Sequence, residues 1–165
     1  KVASFYKKTS TIYKDIAENT PEEFDVVQLI RDSDFNNCVN LILSEGPFQV
    51  YAKKPSIKQA FADLIQNAFQ YSPDKKCQVY VTDKLSYVNI ELQNSINQGI
   101  LISKEKYKEL GKTWLTKETG DGASSGLYWA FQAVIDSLGQ IELGKYEDFL
   151  NKSCFRIEIK LRKKL

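Results

Sequence analysis

The chain has 165 residues, of which 42% are hydrophobic and 27% are charged, a composition typical of one globular domain with its own core. Its 23 basic and 21 acidic residues leave a net charge of +2, which gives no support to a nucleic-acid binder that depends on a strongly basic face. The absence of histidine excludes a Ser-His-Asp or Cys-His catalytic centre, a histidine-ligated zinc and a phosphoaccepting histidine within these residues.

The targeting and cysteine patterns predict a cytoplasmic location. No apolar run approaches the roughly 20 residues of a membrane span, and no signal-peptide pattern opens the chain. The cysteines Cys38, Cys77 and Cys154 are scattered without CxxC spacing, so we interpret them as buried or half-buried thiols in a reducing compartment. Because the chain begins at Lys1 and contains no methionine, we expect a fragment of a longer protein.

Two helices are predicted in the first part of the chain. Lys1–Asn19 has apolar residues at loosely helical spacing among lysines, which predicts the end of a helix. A second helix is predicted to begin at Thr20 as the N-cap, with Pro21 at its first position and two acids after it. Its inward residues would be Phe24, Val27 and Ile30.

The middle of the chain predicts two pairs of strands around one long helix. Asn40–Tyr51 reads as two short strands separated by a Gly-Pro turn. The helix is predicted over Ile57–Tyr71 with Ser56 as its N-cap, because its apolar residues follow a 3.6-residue period. Strands are predicted over Gln78–Thr82 and Tyr87–Asn94, and alternation in the second places its last residue on the inward face.

The last part predicts a long polar loop, a helix and two strands. The loop reaches Gly126 with a helical patch over 104–110, and a loop of this length is more often functional than not. A helix with an apolar stripe from Leu127 to Leu138 follows, capped by Gly139, and then strands Gln140–Leu143 and Cys154–Leu161. Interleaved helices and strand pairs predict an α/β fold, a two-layer α/β sandwich with a mixed sheet and helices packed on one face.

A polar stripe on the long helix is the first motif that carries chemistry. Asp63 and Asn67 are one helical turn apart, and Gln70 and Tyr71 continue the same face. A carboxamide next to a carboxylate suits a hard cation such as magnesium. A solvated helix face explains the same pattern.

Two further motifs lie at a strand end and a helix start. Asn94 is a polar residue at an inward strand position, which requires a partner unless it only begins a turn. The run Gly122-x-Ser124-x-Gly126-Leu127 opens a helix, where backbone N–H groups and the helix dipole favour an anion. Lys112 and Lys117 precede it on the loop, where their side chains could reach phosphates, while a flexible hinge explains the glycines equally well.

Together these motifs resemble the ATP-binding domain of the GHKL superfamily, and within it the catalytic domain of sensor histidine kinases. Asp63–Pro73, DLIQNAFQYSP, is similar to the N box, where NLxxNAxKYSP is typical, and Gly122–Leu127 is similar to the G2 box, GxGxGL. Leu138–Glu142 is similar to the hGGxIxv ending of the family, and Gly111–Lys117 to the GxSTK stretch of some members. The resemblance covers roughly residues 21 to 162.

The resemblance implies a Bergerat fold with ATP and Mg²⁺ as cofactors. It implies that residues 1–19 end a helix of a preceding dimerisation domain and that residues 20–165 form the ATP-binding domain. The implied metal ligands are Asn67 and Asp63. Gly111–Gly126 would form the mobile ATP lid. The implied nucleotide-binding residues are Asn67, Gln70, Tyr71, Asn94, Gly99, Lys112, Lys117, Gly122, Ser124, Gly126 and Leu127.

Several positions depart from the family pattern. Asp63 replaces the usual asparagine, and Gln70 replaces a basic residue that would face phosphate. Asn94 replaces the G1-box aspartate that reads the adenine amino group, as it also does in a peptide-sensing branch of histidine kinases. In the G1 box Ile96 stands at the first glycine position and Gly99 comes one residue late, while Ser124 replaces the middle glycine of the G2 box.

The function implied by the resemblance is transfer of the ATP γ-phosphate to a histidine outside these residues, in two-component signalling. Its partners would be a histidine-bearing dimerisation domain of the same protein, which forms a homodimer, and a response-regulator receiver domain, with no nucleic acid and no membrane contact in this fragment. Two alternatives stay open. One is a degenerate GHKL module that acts in signalling or docking with weak or absent nucleotide binding, and the other is a serine kinase similar to anti-sigma factors.

Overall fold

The computed structural model describes residues 20–95, 122–143 and 154–165. The helix expected over 1–19 and the helical patch expected over 104–110 lie outside the described residues. The strands are β1 Glu22–Asp25, β2 Val39–Leu43, β3 Gln49–Ala52, β4 Cys77–Asp83, β5 Tyr87–Ser95, β6 Gln140–Leu143 and β7 Cys154–Arg162. The helices are α1 Val26–Asp32, α2 Lys54–Tyr71 and α3 Gly122–Asp136.

Five strands form a mixed sheet in the order β2-β4-β5-β7-β6. The β2–β4 pair is parallel, and the other three pairs are antiparallel. Alternation in β5 buries Val88, Ile90 and Leu92 on one face, as the sequence pattern predicts. Strands β1 and β3 form a separate antiparallel pair.

Helices α2 and α3 pack against each other, and their apolar residues join one core with the sheet. The apolar stripe predicted for α2 is buried along its whole length: Ile57, Ala60, Phe61, Leu64, Ile65 and Ala68. The sheet contributes alternate residues of β4, β5 and β7 to the same core. The expected two-layer α/β sandwich, with a mixed sheet and helices on one face, is therefore confirmed.

The helix predicted to begin at Thr20 is wrong in its first turn. Residues Glu22–Asp25 form β1, in which Phe24 pairs with Val50 of β3. The helix begins after Asp25, whose Oδ1 accepts hydrogen bonds from the backbone N–H of Val27 at 2.9 Å and of Gln28 at 3.3 Å. Asp25 is therefore the N-cap residue, a role predicted for Thr20, because its carboxylate satisfies two N–H groups of the first turn.

The predicted N-cap of α2 is also wrong, because the helix begins at Lys54, three residues before the predicted start at Ile57. Lys53 is the N-cap residue, without a side-chain hydrogen bond, and Pro55 lies in the first turn, where its missing N–H costs nothing. Ser56 is 1% exposed, and its Oγ has no hydrogen-bond partner among the described residues. Its side chain faces the core and is therefore not available to cap the helix.

Helix α3 differs from the prediction at both ends. It begins at Gly122, five residues before the predicted start, so the glycine-rich run is helical. At the other end Leu138, not Gly139, adopts the left-handed conformation, with φ of 58°. The N–H of Gly139 donates to the carbonyl of Val134 at 2.9 Å, and that of Leu138 to Ile135 at 2.9 Å, which is the Schellman pattern. The buried face of α3 also differs from the predicted apolar stripe, since Ile135 and Leu138 are exposed and Ala133 is buried.

We expect Gly139→Ala to destabilise the domain and Leu138→Gly not to do so. A Cβ atom at Gly139 would lie 2.8 Å from Val134 Cγ1 and 2.9 Å from Leu161 Cδ2, and such overpacking costs about 1–3 kcal/mol. Leu138 is 66% exposed, and glycine removes the left-handed strain, which offsets its greater unfolded-state entropy. Urea unfolding of the two variants measures both free energies. Equal losses would contradict the packing role of Gly139.

Candidate functional site

Asn67 lies on α2 at the border between the buried and exposed faces of the helix. Its neighbours Leu64 and Ala68 are buried, and Asn67 itself is half-buried. No described residue forms a hydrogen bond with its carboxamide. The side chain therefore has both its oxygen and its nitrogen available for a ligand, within the part of the chain that the structure describes.

Asp63 lies one helical turn before Asn67 and, unlike Asn67, forms a side-chain hydrogen bond with a described residue. Its Oδ1 accepts a hydrogen bond from Gln59 Nε2 at 3.0 Å. The carboxylate also borders a pocket of about 200 Å³ on the α1 side of the helix, together with Ser33 and Phe35. Asp63 thus borders both the polar stripe and this pocket.

The described residues contain no group of three or more acidic or cysteine side chains that could hold a metal ion by themselves. Asn67 and Asp63 offer one carboxamide oxygen donor and one carboxylate. Mg²⁺ commonly uses one or two protein oxygens and completes its shell with water and substrate phosphates. The donor set of Asn67 and Asp63 therefore fits a magnesium ion that is delivered with a nucleotide.

The end of α2 holds Gln70 and Tyr71, the last two residues of the helix. Gln70 is exposed, and its backbone carbonyl accepts a hydrogen bond from Lys75 Nζ at 3.2 Å. The Lys75 ammonium lies 5.6 Å from the centre of the Phe69 ring. Phe69 and Asn67 are two residues apart and point to opposite sides of the helix, so Lys75, which lies near Phe69, is on the side away from Asn67. Lys75 therefore caps the end of the helix and does not replace the basic residue that the family pattern has at the position of Gln70.

Asn94 is the penultimate residue of β5 and lies in phase with the three buried residues of that strand. It pairs with Phe155 of β7 and is half-buried. Its Nδ2 donates to the carbonyl of Ser95 at 3.2 Å, and no described residue donates to its Oδ1. The position predicted for a polar inward residue is therefore confirmed, and its side-chain acceptor has no protein partner among the described residues.

A hydrogen-bonded cluster joins the end of α2 to the end of β5. The Ser72 hydroxyl donates to Asp74 Oδ1, and the Ser95 hydroxyl lies 3.3 Å from the same oxygen and 3.2 Å from Ser72 Oγ. The backbone N–H of Lys76 also donates to Asp74 Oδ1, at 3.1 Å. In the sequence Ser72-Pro73-Asp74 indicates the end of the helix, and its first two residues belong to the stretch that is similar to the N box. Nothing in the local pattern reveals that Ser95 joins them.

The hydrogen bonds of this cluster lower the pKa of Asp74. The Ser72 hydroxyl is the largest cause, and burial acts in the opposite direction. A depressed pKa in the folded state means that the carboxylate stabilises the fold above its unfolded-state pKa. This contribution is lost as the pH falls through the folded-state value.

The remaining predicted site residues fall on α3 or outside the described residues. Gly122, Ser124, Gly126 and Leu127 all lie in α3, the helix that packs against α2. The first N–H groups of a helix lack intrahelical acceptors and favour an anion. Gly99, Lys112 and Lys117, and the part of the expected lid before Gly122, lie outside the described residues.

The chain is similar in sequence to a known sporulation protein. It is 28% identical over 130 residues to sporulation kinase E of Bacillus subtilis strain 168, a match that covers 73% of this chain. The chain spans only 17% of the length of that kinase. No protein-family model matches the chain. Among the described residues, no helix is long and apolar enough to cross a membrane.

The fold is that of solved histidine kinase catalytic domains. The nucleotide-free catalytic domain of histidine kinase ThkA matches with a TM-score of 0.69 and 20% identity, over 88% of this chain and 97% of that domain. The histidine kinase AdeS of Acinetobacter baumannii matches with a TM-score of 0.65 and 18% identity, over 95% of this chain and 75% of that one. ThkA in complex with the response regulator TrrA matches with a TM-score of 0.63 and 22% identity, over 96% of this chain and 48% of that one. The chain therefore has the fold of histidine kinase catalytic domains and is similar in sequence to a sporulation kinase.

Proposed function

We propose that the chain is the ATP-binding catalytic domain of a sensor histidine kinase. In this function it binds ATP with Mg²⁺ and presents the γ-phosphate to a histidine outside these residues. The observation that carries the proposal is the carboxamide of Asn67, which no described residue hydrogen-bonds and which lies in the N-box position of a domain with this fold. Because phosphoryl transfer needs mainly positioning and charge neutralisation, a domain without histidine is sufficient for the nucleotide half of the reaction.

Asn67 is the proposed protein ligand of magnesium, with Asp63 one turn away as the second oxygen donor. The bound ion supplies neutralisation of triphosphate charge. Asn67 Oδ1 is available for it because no described residue hydrogen-bonds this carboxamide. The Gln59 side chain holds the Asp63 carboxylate at 3.0 Å and orients it beside the stripe.

Asn94 is the proposed adenine reader, because its Oδ1 accepts from the adenine amino group while the buried residues of β5 fix the strand beneath it. At the end of α2, Tyr71 would lie near the adenine and sugar, and Gln70 takes the position of a basic residue that would face phosphate. At the start of α3, where the first backbone N–H groups lack intrahelical acceptors, Gly122 and Ser124 bind the phosphates, and Gly126 and Leu127 follow in the next turn. Gly99, Lys112 and Lys117 complete the site from the segment between β5 and α3.

The transfer step takes place between two domains. A ring nitrogen of the acceptor histidine attacks the γ-phosphorus, the bond from that phosphorus to the β–γ bridging oxygen breaks, and ADP leaves. The acceptor belongs to a dimerisation domain of the same protein, which is a homodimer in the cytoplasm, and the phosphoryl group then passes to a response-regulator receiver domain. The complex of ThkA with the response regulator TrrA supports this partner class.

Calorimetry with ATP, in the presence and absence of Mg²⁺, tests nucleotide binding by this chain. We expect binding that magnesium strengthens. In the full-length protein, labelled γ-phosphate should appear on histidine as an acid-labile, base-stable phosphoramidate. An acid-stable phosphoester on a protein substrate would instead show serine phosphorylation, and the absence of binding at millimolar MgATP would overturn the proposal.

One observation favours a degenerate signalling module as the second candidate. The Asn94 amide group donates to the carbonyl of its own neighbour Ser95, so the side chain is partly engaged without nucleotide. A module of this kind keeps the sandwich and its docking surfaces without using the nucleotide site. The same calorimetry separates the two functions, because only the kinase domain requires MgATP binding.

A further inference from the structure

The Ser72–Asp74–Ser95 cluster, defined by the three side chains described above, connects elements that are distant in sequence. Ser72 is the C-cap residue of α2, and its backbone N–H donates to the carbonyl of Ala68, next to Asn67, at 2.9 Å. Ser95 is the last residue of β5 and directly follows Asn94. The cluster therefore connects the C-terminal end of α2, the helix that carries Asn67, with the end of β5, the strand that carries Asn94.

The sheet explains why these two ends meet. The end of β5 lies beside the start of β4, where Gln93 pairs with Gln78. The turn between α2 and β4 carries Asp74, so its carboxylate reaches the β5 end directly. Asp74 Oδ1 has three neighbouring donors, two serine hydroxyls and the N–H of Lys76, which together hold one oxygen in one place.

Ser95 is in contact with the turn and with Asn94 at the same time. Its hydroxyl lies within hydrogen-bond distance of Ser72 and Asp74, and its carbonyl accepts from Asn94 Nδ2 at 3.2 Å. A shift of Ser95 therefore moves the acceptor that orients the Asn94 side chain. Ser72 is 1% exposed, so the α2 side of the cluster is fixed by the core.

We propose that Ser72, Asp74 and Ser95 are positioning residues that hold Asn94 at a fixed place relative to α2. Asn94 then binds adenine at a fixed distance from the residues that bind the phosphates. The inference rests on the proposed nucleotide function. None of the three residues contacts the nucleotide in this scheme. Their effect reaches the base through Asn94 and leaves the magnesium and phosphate contacts of Asn67 unchanged.

The test compares ATP with inorganic triphosphate, each with Mg²⁺, by calorimetry on the parent and on Asp74→Asn, Ser95→Ala and Ser95→Thr. We expect Asp74→Asn and Ser95→Ala to weaken ATP about threefold to tenfold, in the range of one lost hydrogen bond. Triphosphate binding should stay at the parent value, because this probe lacks the base. Ser95→Thr keeps the hydroxyl and should restore ATP affinity.

Matched controls come from the same chain. Asp32→Asn removes an exposed carboxylate that accepts from Gln28 Nε2 at 3.0 Å, and Ser44→Ala removes an exposed hydroxyl at the end of β2. Both should leave ATP and triphosphate binding unchanged. Preference for ATP over GTP should fall in Asp74→Asn and Ser95→Ala but not in these controls.

The outcomes separate the inference from the function on which it rests. A parent that binds ATP, with Asp74→Asn and Ser95→Ala at parent affinity, would overturn the positioning role alone. Equal loss of ATP and triphosphate would also overturn it, because that pattern shows general damage to the site. A parent that binds neither probe would overturn the proposed function and this role with it.

Discussion

Replacement of Asn67 by alanine is expected to weaken MgATP binding by at least about tenfold and to leave binding of metal-free ATP nearly unchanged. Loss even of groups that only support a metal ligand commonly lowers metal affinity by about 10–100-fold, and a direct ligand should cost no less. The stability of the fold should change little, because Asn67 is half-buried and no described residue hydrogen-bonds its side chain. Calorimetry with and without Mg²⁺ measures the difference.

A control for this prediction lies one residue away. Gln66→Ala removes an exposed carboxamide whose Oε1 accepts from Asn36 Nδ2 at 2.9 Å on the α1 side of α2. It should leave both forms of ATP binding at the parent value. If Asn67→Ala lost affinity equally with and without magnesium, Asn67 would act on the nucleotide or the fold rather than on the metal.

The elements predicted correctly are those with a local periodic signal. The buried stripe of α2 and the alternation of β5 are visible in the order of their own residues, and both are confirmed. Strand β1 has only four residues, and it is defined by its pairing with β3, which lies after α1 and β2 in the chain. No local pattern distinguishes such a segment from the start of a helix.

Errors at the ends of helices have a common cause. Ser56 is a good N-cap residue by type, but tertiary packing buries it inside the first turn of α2. The glycine and serine residues that begin α3 favour a loop by propensity, and the packing of α3 against α2 outweighs this preference. Leu138 adopts the left-handed conformation that favours glycine, and the glycine stands at the next position, where a side chain would collide with Val134 and Leu161.

The candidate site also contains both residues that local sequence patterns predict and residues that they do not. Asn67 and Asn94 are recognisable in the sequence because a motif and a strand phase mark them. The Ser72–Asp74–Ser95 cluster is not recognisable, since it depends on β5 ending beside the turn that leads into β4. Hydrogen bonds between distant segments follow from the completed fold and have no signature in local residue order.

Replacement of Asn94 by leucine is expected to weaken ATP binding by about tenfold to a hundredfold. A neutral hydrogen bond contributes about 0.5–1.5 kcal/mol, and an adenine amino group left unpaired in the site costs about 1–3 kcal/mol. Gln93→Leu is the control, because this neighbour is half-buried but points to the opposite face of the sheet. It should bind ATP as the parent does.

The Asn94→Asp variant determines whether Asn94 contacts the base through its oxygen. A carboxylate keeps the acceptor and makes a stronger hydrogen bond to the amino group, so this variant should bind ATP as tightly as the parent or more tightly. The carboxylate loses only the donor that now bonds to the Ser95 carbonyl at 3.2 Å. Calorimetry on the parent and both variants provides the comparison. If the parent does not bind millimolar MgATP and Asn94→Asp does not restore binding, the degenerate signalling module becomes the function of this chain.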